Sequence, residues 1–218
     1  MLPIKGVQKT TLIDYPGKVA STIFIAGCNF KCPYCHNMVL VKDTEQLPTI
    51  PEDEIFNFLS ERQEFIDGVC ITGGEPTLYQ ELPDFIKKIK ALGLKVKLDT
   101  NGTNPEMLQK LIDSKLLDYI AMDLKGYPDN YALVVSAPVD LSKIEQSVEL
   151  VKKGAVKYEF RTTILPRFFK LEDVDKIGPW LEGAESFYIQ QFEKHGGTLD
   201  PHLEKESIYS KPELEAIA

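Results

Sequence analysis

Three thiols lie within eight residues of this sequence, in Cys28-Asn-Phe-Lys-Cys32-Pro-Tyr-Cys35-His36, at C-x3-C-x2-C spacing. The apolar, partly β-branched run Ser21–Gly27 that precedes them reads as a buried strand. The cysteines therefore fall on a loop at a strand's C-terminal end, where α/β barrels collect their catalytic groups. Three thiolates on one loop can ligate three irons of a [4Fe–4S] cube, and a fourth cysteine at ferredoxin spacing is missing. The remaining iron would keep an open position for a small molecule, which points to a reactive cluster rather than an electron wire. Other chemistries use the same residues. Cys32-Pro-Tyr-Cys35-His36 has the C-x-x-C-H spacing of haem attachment. That reading leaves Cys28 unused, and Met1–Gly6 has no apolar signal-peptide core. A closed zinc site needs four ligands, and His36 would have to turn onto the same ion from the position next to Cys35. Disulfides are uncommon in the cytosol, where the lack of an export signal places the chain.

Further strand-like runs also end in polar groups. The second ends in Thr72-Gly73-Gly74-Glu75-Pro76, where two glycines permit close backbone approach to a ligand. Glu75 and nearby carbonyls could accept from an ammonium group, and a plain tight turn is the alternative. The third ends in Asp99-Thr-Asn101-Gly and the fourth in Asp123-Leu-Lys125-Gly. Asp123 and Lys125 alternate, so they share a face and could clamp a zwitterion or be a solvated rim pair. The fifth carries Arg161 in an apolar setting, which is costly unless the charge is paired. The sixth is Phe187-Tyr-Ile-Gln190-Gln191-Phe192-Glu193. Cys70 stands alone in an apolar run and reads as a buried thiol.

These residues need a scaffold, and the chain supplies a strand–helix rhythm. Strands are expected over 20–26, 68–72, 94–99, 118–123, 157–164 and 185–192, and helices over 52–66, 79–92, 104–115, 142–153 and 171–182. Pro51-Glu-Asp-Glu and Asn104-Pro-Glu mark helix starts, and Leu92-Gly93 and Lys153-Gly154 mark helix ends. Such alternation predicts a parallel sheet with helices outside. Six units fall short of eight, so the expected fold is α/β, a partial (β/α)6 TIM-like barrel with an open side. Residues 1–19, with the turn Asp14-Tyr-Pro-Gly17, are expected as an extended lid or hairpin, residues 20–195 as the barrel, and 196–218 as a tail with a short helix over Pro212–Ala218.

The chain has 218 residues, 43% hydrophobic and 27% charged, and this is ordinary for one globular domain. A net charge of −8 argues against general nucleic-acid binding. No apolar run reaches membrane-span length.

The cysteine motif after the first strand and Gly-Gly-Glu-Pro after the second resemble the radical S-adenosylmethionine superfamily, from about Gly6 to Glu193. Lys9-Thr-Thr-Leu-Ile-Asp-Tyr-Pro-Gly-Lys18, Tyr34-Cys-His-Asn37 and Asp123-Leu-Lys125 resemble the glycyl-radical-enzyme activases, most of all those of anaerobic ribonucleotide reductases. The resemblance implies the radical SAM form of the barrel. It implies a [4Fe–4S] cluster on Cys28, Cys32 and Cys35, with S-adenosylmethionine chelating the fourth iron. Tyr34 and His36 would lie against that cofactor, and Gly73, Gly74 and Glu75 would meet its amino group. Asp123 and Lys125 would reach its ribose and carboxylate, with Asp99, Asn101 and Arg161 as further contacts. The implied activity is cofactor cleavage to a 5′-deoxyadenosyl radical that takes hydrogen from a glycine of a partner enzyme. The implied partners are anaerobic ribonucleotide reductase and an electron donor such as flavodoxin or ferredoxin, in the cytoplasm. Where pyruvate formate-lyase activases carry a histidine in the sixth strand, this chain has Glu193. A radical enzyme acting on a small molecule, of the carboxydeazaguanine synthase type, and a non-enzymatic metal-binding module are the competing expectations.

Overall fold

The computed structural model describes residues 1–194 and 197–216. Seven strands form one sheet in sequential order: β1 (Ile4–Thr11), β2 (Ala20–Ile25), β3 (Gly68–Gly73), β4 (Lys95–Thr100), β5 (Tyr119–Asp123), β6 (Lys157–Ile164) and β7 (Phe187–Gln191). From β2 to β7 every neighbouring pair is parallel. The helices are α1 (Met38–Val41), α2 (Glu52–Arg62), α3 (Leu82–Ala91), α4 (Pro105–Asp113), α5 (Tyr131–Val135), α6 (Leu141–Lys152), α7 (Gly178–Leu181) and α8 (Lys211–Glu215). Each parallel strand is followed by a crossover and then by its immediate neighbour, the sequential order of a TIM-like barrel, and here β1 and β7 are the sheet's two edges.

The opening segment, expected as a lid or hairpin, supplies a seventh strand. β1 runs antiparallel to β2, from Ile4 opposite Ile25 to Thr11 opposite Ala20. Its polar sequence, IKGVQKTT, hides it because this edge strand buries only its end residues fully. The helix expected over 171–182 is instead a 3-10 turn at Leu171–Lys176 followed by the four residues of α7. Ile177 lies between them, and Gly178-Pro179 opens α7, since proline is tolerated in a helix's first turn but not in its interior. The helix expected from 79 starts at Leu82, after a 3-10 turn at Pro76–Leu78. The expected barrel–tail boundary at 195/196 lies outside the described residues, as do the last two residues of the expected terminal helix.

Register divides the sheet into two chemically different faces. Ile23, Ile71, Leu98, Ile120 and Tyr158 are paired in one row across five strands. These residues are buried and form one core with Leu59 of α2, Phe85 and Ile86 of α3, Leu108 of α4 and Val148 of α6. One position along each strand the face reverses, and the rows read Thr22–Cys70–Lys97–Tyr119, Asp99–Ala121–Glu159 and Asp123–Arg161. The apolar face holds the helices, and the polar face is left to the site. The helix starts that aim the βα loops are locally encoded. The Asn104 side chain accepts from Met107 N at 3.1 Å, and the Asp140 side chain from Ser142 N at 3.1 Å. Three acidic residues occupy the first turn of α2.

The turn after β3 packs directly on the chain leaving β2. Gly74 N donates to Ile25 O and Glu75 N to Gly27 O, each at 2.8 Å. A Cβ on Gly74 would stand 1.9 Å from the carbonyl oxygen of Gly27, and Gly73 holds φ +119° with its would-be Cβ 2.4 Å from Ile25 O. We therefore expect Gly74→Ala to lower unfolding stability by about 1–3 kcal/mol, as overpacking against fixed backbone does. A urea titration checks this through a lower midpoint at unchanged m value.

Candidate functional site

A cavity of about 560 Å³ opens at the C-terminal ends of the parallel strands. Cys28, Cys32, Cys35, Tyr34 and His36 line it from the loop after β2, and Gly73 and Gly74 from the loop after β3. Asp99 and Asn101 line it from β4 and its loop, Asp123 and Lys125 from β5 and its loop, and Arg161 from β6. Glu75, expected at the site, lies outside the lining, as does Cys70, expected as a buried thiol.

The cysteine loop is held by its neighbours on several sides. Asn37 Nδ2 donates to Gly73 O at 2.9 Å. Asn29 accepts from Asn101 Nδ2 at 3.0 Å and donates to Thr103 Oγ1 at 2.9 Å. Lys31 N donates to Val135 O at 2.9 Å, and Cys35 N closes a turn onto Cys32 O at the same distance. The His36 ring stacks on Phe192, with centroids 5.3 Å apart and planes 14° from parallel. Its Nε2 lies 2.7 Å from Glu193 O. A carbonyl oxygen only accepts, so Nε2 is the donor in this contact. All four cysteines are free thiols. Burial pushes the Cys28 thiol up to about 12 and the Cys32 thiol up to about 11, and it raises Cys35 as well; Lys125 opposes the rise at all three.

Along the polar face runs a ladder of opposite charges. Lys97, almost wholly buried, pairs with Asp99. The other oxygen of Asp99 lies 3.3 Å from Arg161, whose Nε lies 2.9 Å from Asp123, and Lys125 Nζ lies 3.2 Å from the same carboxylate. Glu159 approaches Arg161 at 3.7 Å and accepts from the Tyr119 hydroxyl at 2.9 Å. Three cations and three carboxylates thus alternate, and Arg161 is paired as a buried arginine must be. Burial opposes ionisation of Asp123, but Arg161 and Lys125 outweigh it and hold the carboxyl well below the usual carboxylate range. Burial likewise opposes the charge on Lys125, and Asp123 restores and strengthens it. Both Asp123 oxygens are engaged, by Arg161 and Lys125. Lys125, with three donors, has capacity left over for a ligand.

Glu75 points inward. It is fully buried, and its carboxylate accepts from Thr77 N at 3.0 Å, Thr77 Oγ1 at 2.6 Å, Thr100 Oγ1 at 2.8 Å and Asn101 N at 2.6 Å. It locks the loop after β3 to the loop after β4. Cys70 is buried on the polar face, its thiol 3.7 Å from Asp99 Oδ1. The cavity also takes Asp14, Asn37, Thr163, Gln190, Gln191 and Glu193, which the sequence did not mark as site residues. Asp14 reaches it from the segment before β2 and accepts from Thr22 Oγ1. The alternation of β6 and β7 could have shown Thr163 and Gln190, each two positions from a neighbour on the polar face.

The donor set has the character of a cluster-and-cofactor site. Among the described residues, no three His, Cys, Asp or Glu side chains converge on a position for a single metal ion. The three thiols border a space instead, which suits a cube held at three corners better than a zinc ion. Among the described residues, the Tyr34 hydroxyl and Gln191 Oε1 are buried without a hydrogen-bond partner, and both residues line the cavity. Such orphaned polar atoms are those a polar ligand would satisfy. Among the described residues, no helix is long and apolar enough to cross a membrane.

Known proteins agree with this chemistry. A protein of Methanocaldococcus jannaschii provisionally named a glycyl-radical enzyme activating enzyme is 38% identical over 195 residues, covering 87% of this chain and 80% of that protein. The GTP 3′,8-cyclase of Helicobacter pylori is 28% identical over 185 residues, covering 82% of this chain and 56% of the cyclase. The crystal structure of Streptococcus suis SuiB bound to S-adenosylmethionine superposes with a TM-score of 0.67 at 16% identity. That likeness covers 87% of this chain and 43% of SuiB, and it shows the fold alone. The sequence profile of the Radical SAM superfamily matches residues 22–177, and the chain, an enzyme using a [4Fe–4S] cluster and S-adenosylmethionine, belongs to that superfamily.

Proposed function

We propose that this protein installs a glycyl radical in a partner enzyme, and that the partner is an anaerobic ribonucleotide reductase. The observation that carries the reading is the meeting of a three-cysteine loop with the Gly-Gly turn and the Asp123–Lys125 pair on one cavity. The 38% identity to the M. jannaschii protein supports the activase class. The partner rests on the opening Lys9–Lys18 and Tyr34–Asn37 motifs.

On this reading Cys28, Cys32 and Cys35 hold the cluster. When bound and reduced, it supplies the electron that cleaves S-adenosylmethionine to methionine and a 5′-deoxyadenosyl radical. The chain's own residues orient the cofactor and keep water out. The main chain of Gly73 and Gly74 meets the cofactor's amino group, and Glu75 acts from behind by fixing that loop. Lys125 takes the carboxylate with its spare donors. Asp123, Asp99 and Arg161 present a charged, hydrogen-bonding wall to the ribose. Tyr34, His36 and Asn101 complete the contacts. An electron donor of the flavodoxin or ferredoxin type supplies the reductant, and four free cysteines suit a reducing, cytoplasmic setting. The net charge of −8 suits protein partners rather than nucleic acid.

A second reading, a radical enzyme acting on a small molecule, is favoured by the match to GTP 3′,8-cyclase over 82% of this chain. One experiment separates the two. Reduced protein, S-adenosylmethionine and the organism's own anaerobic ribonucleotide reductase should give the electron paramagnetic resonance doublet of a glycyl radical. Replacing the radical-bearing glycine of the reductase by alanine should remove the doublet. Turnover of a small heterocycle with no doublet on any glycyl-radical enzyme would establish the second reading.

Two variant series test the site. Anaerobic reconstitution should give a brown protein with about four irons per chain, as a [4Fe–4S] site requires. Cys28→Ala, Cys32→Ala and Cys35→Ala should each lose that iron, while Cys70→Ala should keep it. Lys125→Ala should keep the cluster but weaken S-adenosylmethionine binding by about 1.5–3 kcal/mol, the worth of a hydrogen bond to a charged group. Calorimetry measures this, and an unchanged affinity would make Lys125 a rim charge.

A further inference from the structure

The cysteine loop is braced from outside by chain that follows the barrel, a segment with no role in the reading above. Phe192 and Leu203 are both fully buried. Phe192 carries the His36 ring on its face, and the next residue, Glu193, offers its carbonyl to His36 Nε2. Asp200 N donates to Pro33 O at 2.9 Å, at the carbonyl between Cys32 and Cys35. Asp200 is itself held on several sides. Its Oδ2 lies 2.9 Å from Arg167 Nη1, its Oδ1 accepts from His202 N at 3.0 Å, and its carbonyl accepts from Thr198 Oγ1 at 2.8 Å. Arg167 also reaches Glu206 at 3.1 Å, and its guanidinium lies 5.4 Å from the centre of the Phe168 ring. That ring packs on Tyr34 at 6.1 Å. Two independent routes, one through Asp200 to Pro33 and one through Phe168 to Tyr34, therefore run from Arg167 to the Cys32–Cys35 turn.

We propose that Arg167, Asp200 and Leu203 are positioning residues for the cysteine turn. The segment 200–205, anchored by Leu203, acts as a strap that fixes where the thiols of Cys32 and Cys35 stand. The geometry makes the strap specific. Its one backbone bond to the loop falls inside the C-x2-C turn, and the arginine that fixes Asp200 also packs behind the aromatic ring of that turn. Arg167 is 44% exposed, so each of its ion pairs is a modest contribution and the effect rests on the network. The significance of the turn as a cluster site rests on the function proposed above, but the strap is testable without the cluster.

Amide hydrogen exchange on the full-length, iron-free chain reads local opening of the turn. In Arg167→Ala, exchange at Cys35 and Asp200 should quicken about three- to fivefold, equivalent to ~0.6–1 kcal/mol, while amides of β3 and β4 stay unchanged. Asp200→Asn should do the same. Arg167→Lys should recover part of the protection, and Glu206→Gln, which leaves the Asp200 contact, should be silent. Leu203→Ala should open the turn further. After reconstitution, Arg167→Ala should still bind iron but show an altered electron paramagnetic resonance line shape for the reduced cluster. If the Asp200 amide quickens and Cys35 does not, the tail is simply attached to the barrel and the proposal falls. Equal quickening of every amide would mark a general stability effect and overturn it too. Failure of wild-type protein to bind iron, with the exchange pattern as expected, would remove the cluster reading and leave the strap in place.

Discussion

Asp123 is the point on which the site depends. Its carboxylate sits at the end of β5, between Arg161 on β6 and Lys125 on the following loop. A lone carboxylate there would be costly to ionise, and a lone arginine or lysine equally so. Together they hold one another charged against burial. Extended by Asp99, Lys97 and Glu159, the pairing leaves three positive and three negative groups on one wall. A balanced wall can lie beside a zwitterionic ligand without imposing a net field on it, while each group still has a fixed direction. Breaking such a network at one member strands its neighbour, which is why its members act as a unit.

That wall is possible because the other face of the sheet carries the core. The buried row from Ile23 to Tyr158 packs against α2, α3, α4 and α6, and hydrophobic burial of this kind supplies most of the folding free energy. The polar face is then free to hold groups that a two-sided apolar sheet would exclude. The loops obey the same division. Glu75 spends its carboxylate on four internal donors, and in doing so presents the main chain of Gly73 and Gly74 to the cavity.

Much of this was legible in the sequence because it is written at short range. The cysteine spacing, the Gly-Gly turn and the same-facing Asp123 and Lys125 are local patterns, and each lies on the cavity. All six parallel strands were readable from apolar runs with turn signals between them. β1 was not, because an edge strand needs no continuous apolar run, and IKGVQKTT has none. The inward turn of Glu75 was hidden as well: its partners Thr100 and Asn101 lie more than twenty positions away, and only the parallel register of β3 and β4 brings them together. Gln191 and the hydroxyl of Tyr34 show the converse. Neither Gln191 Oε1 nor the Tyr34 hydroxyl has a partner among the described residues, and that is visible only in three dimensions.

The thiols show how the scaffold and the charged wall work together. Burial favours the protonated thiols of Cys28, Cys32 and Cys35. Metal ligation by these cysteines would require thiolates, so it would displace those protons and place negative charge beside Asp123. Lys125 is the cation that opposes the rise at all three cysteines, and the same ammonium is paired to Asp123. One side chain therefore serves both sets of negative charge. Its position on the loop after β5, rather than within the cysteine loop, keeps that ammonium paired to Asp123. Placed next to the cysteines in sequence, a lysine could neutralise them equally well but would have no fixed geometry with respect to Asp123 and Arg161. The separation of the thiols on the loop after β2 from their counter-charge on the loop after β5 is what makes the sheet, rather than the cysteine loop alone, the structure that defines the site.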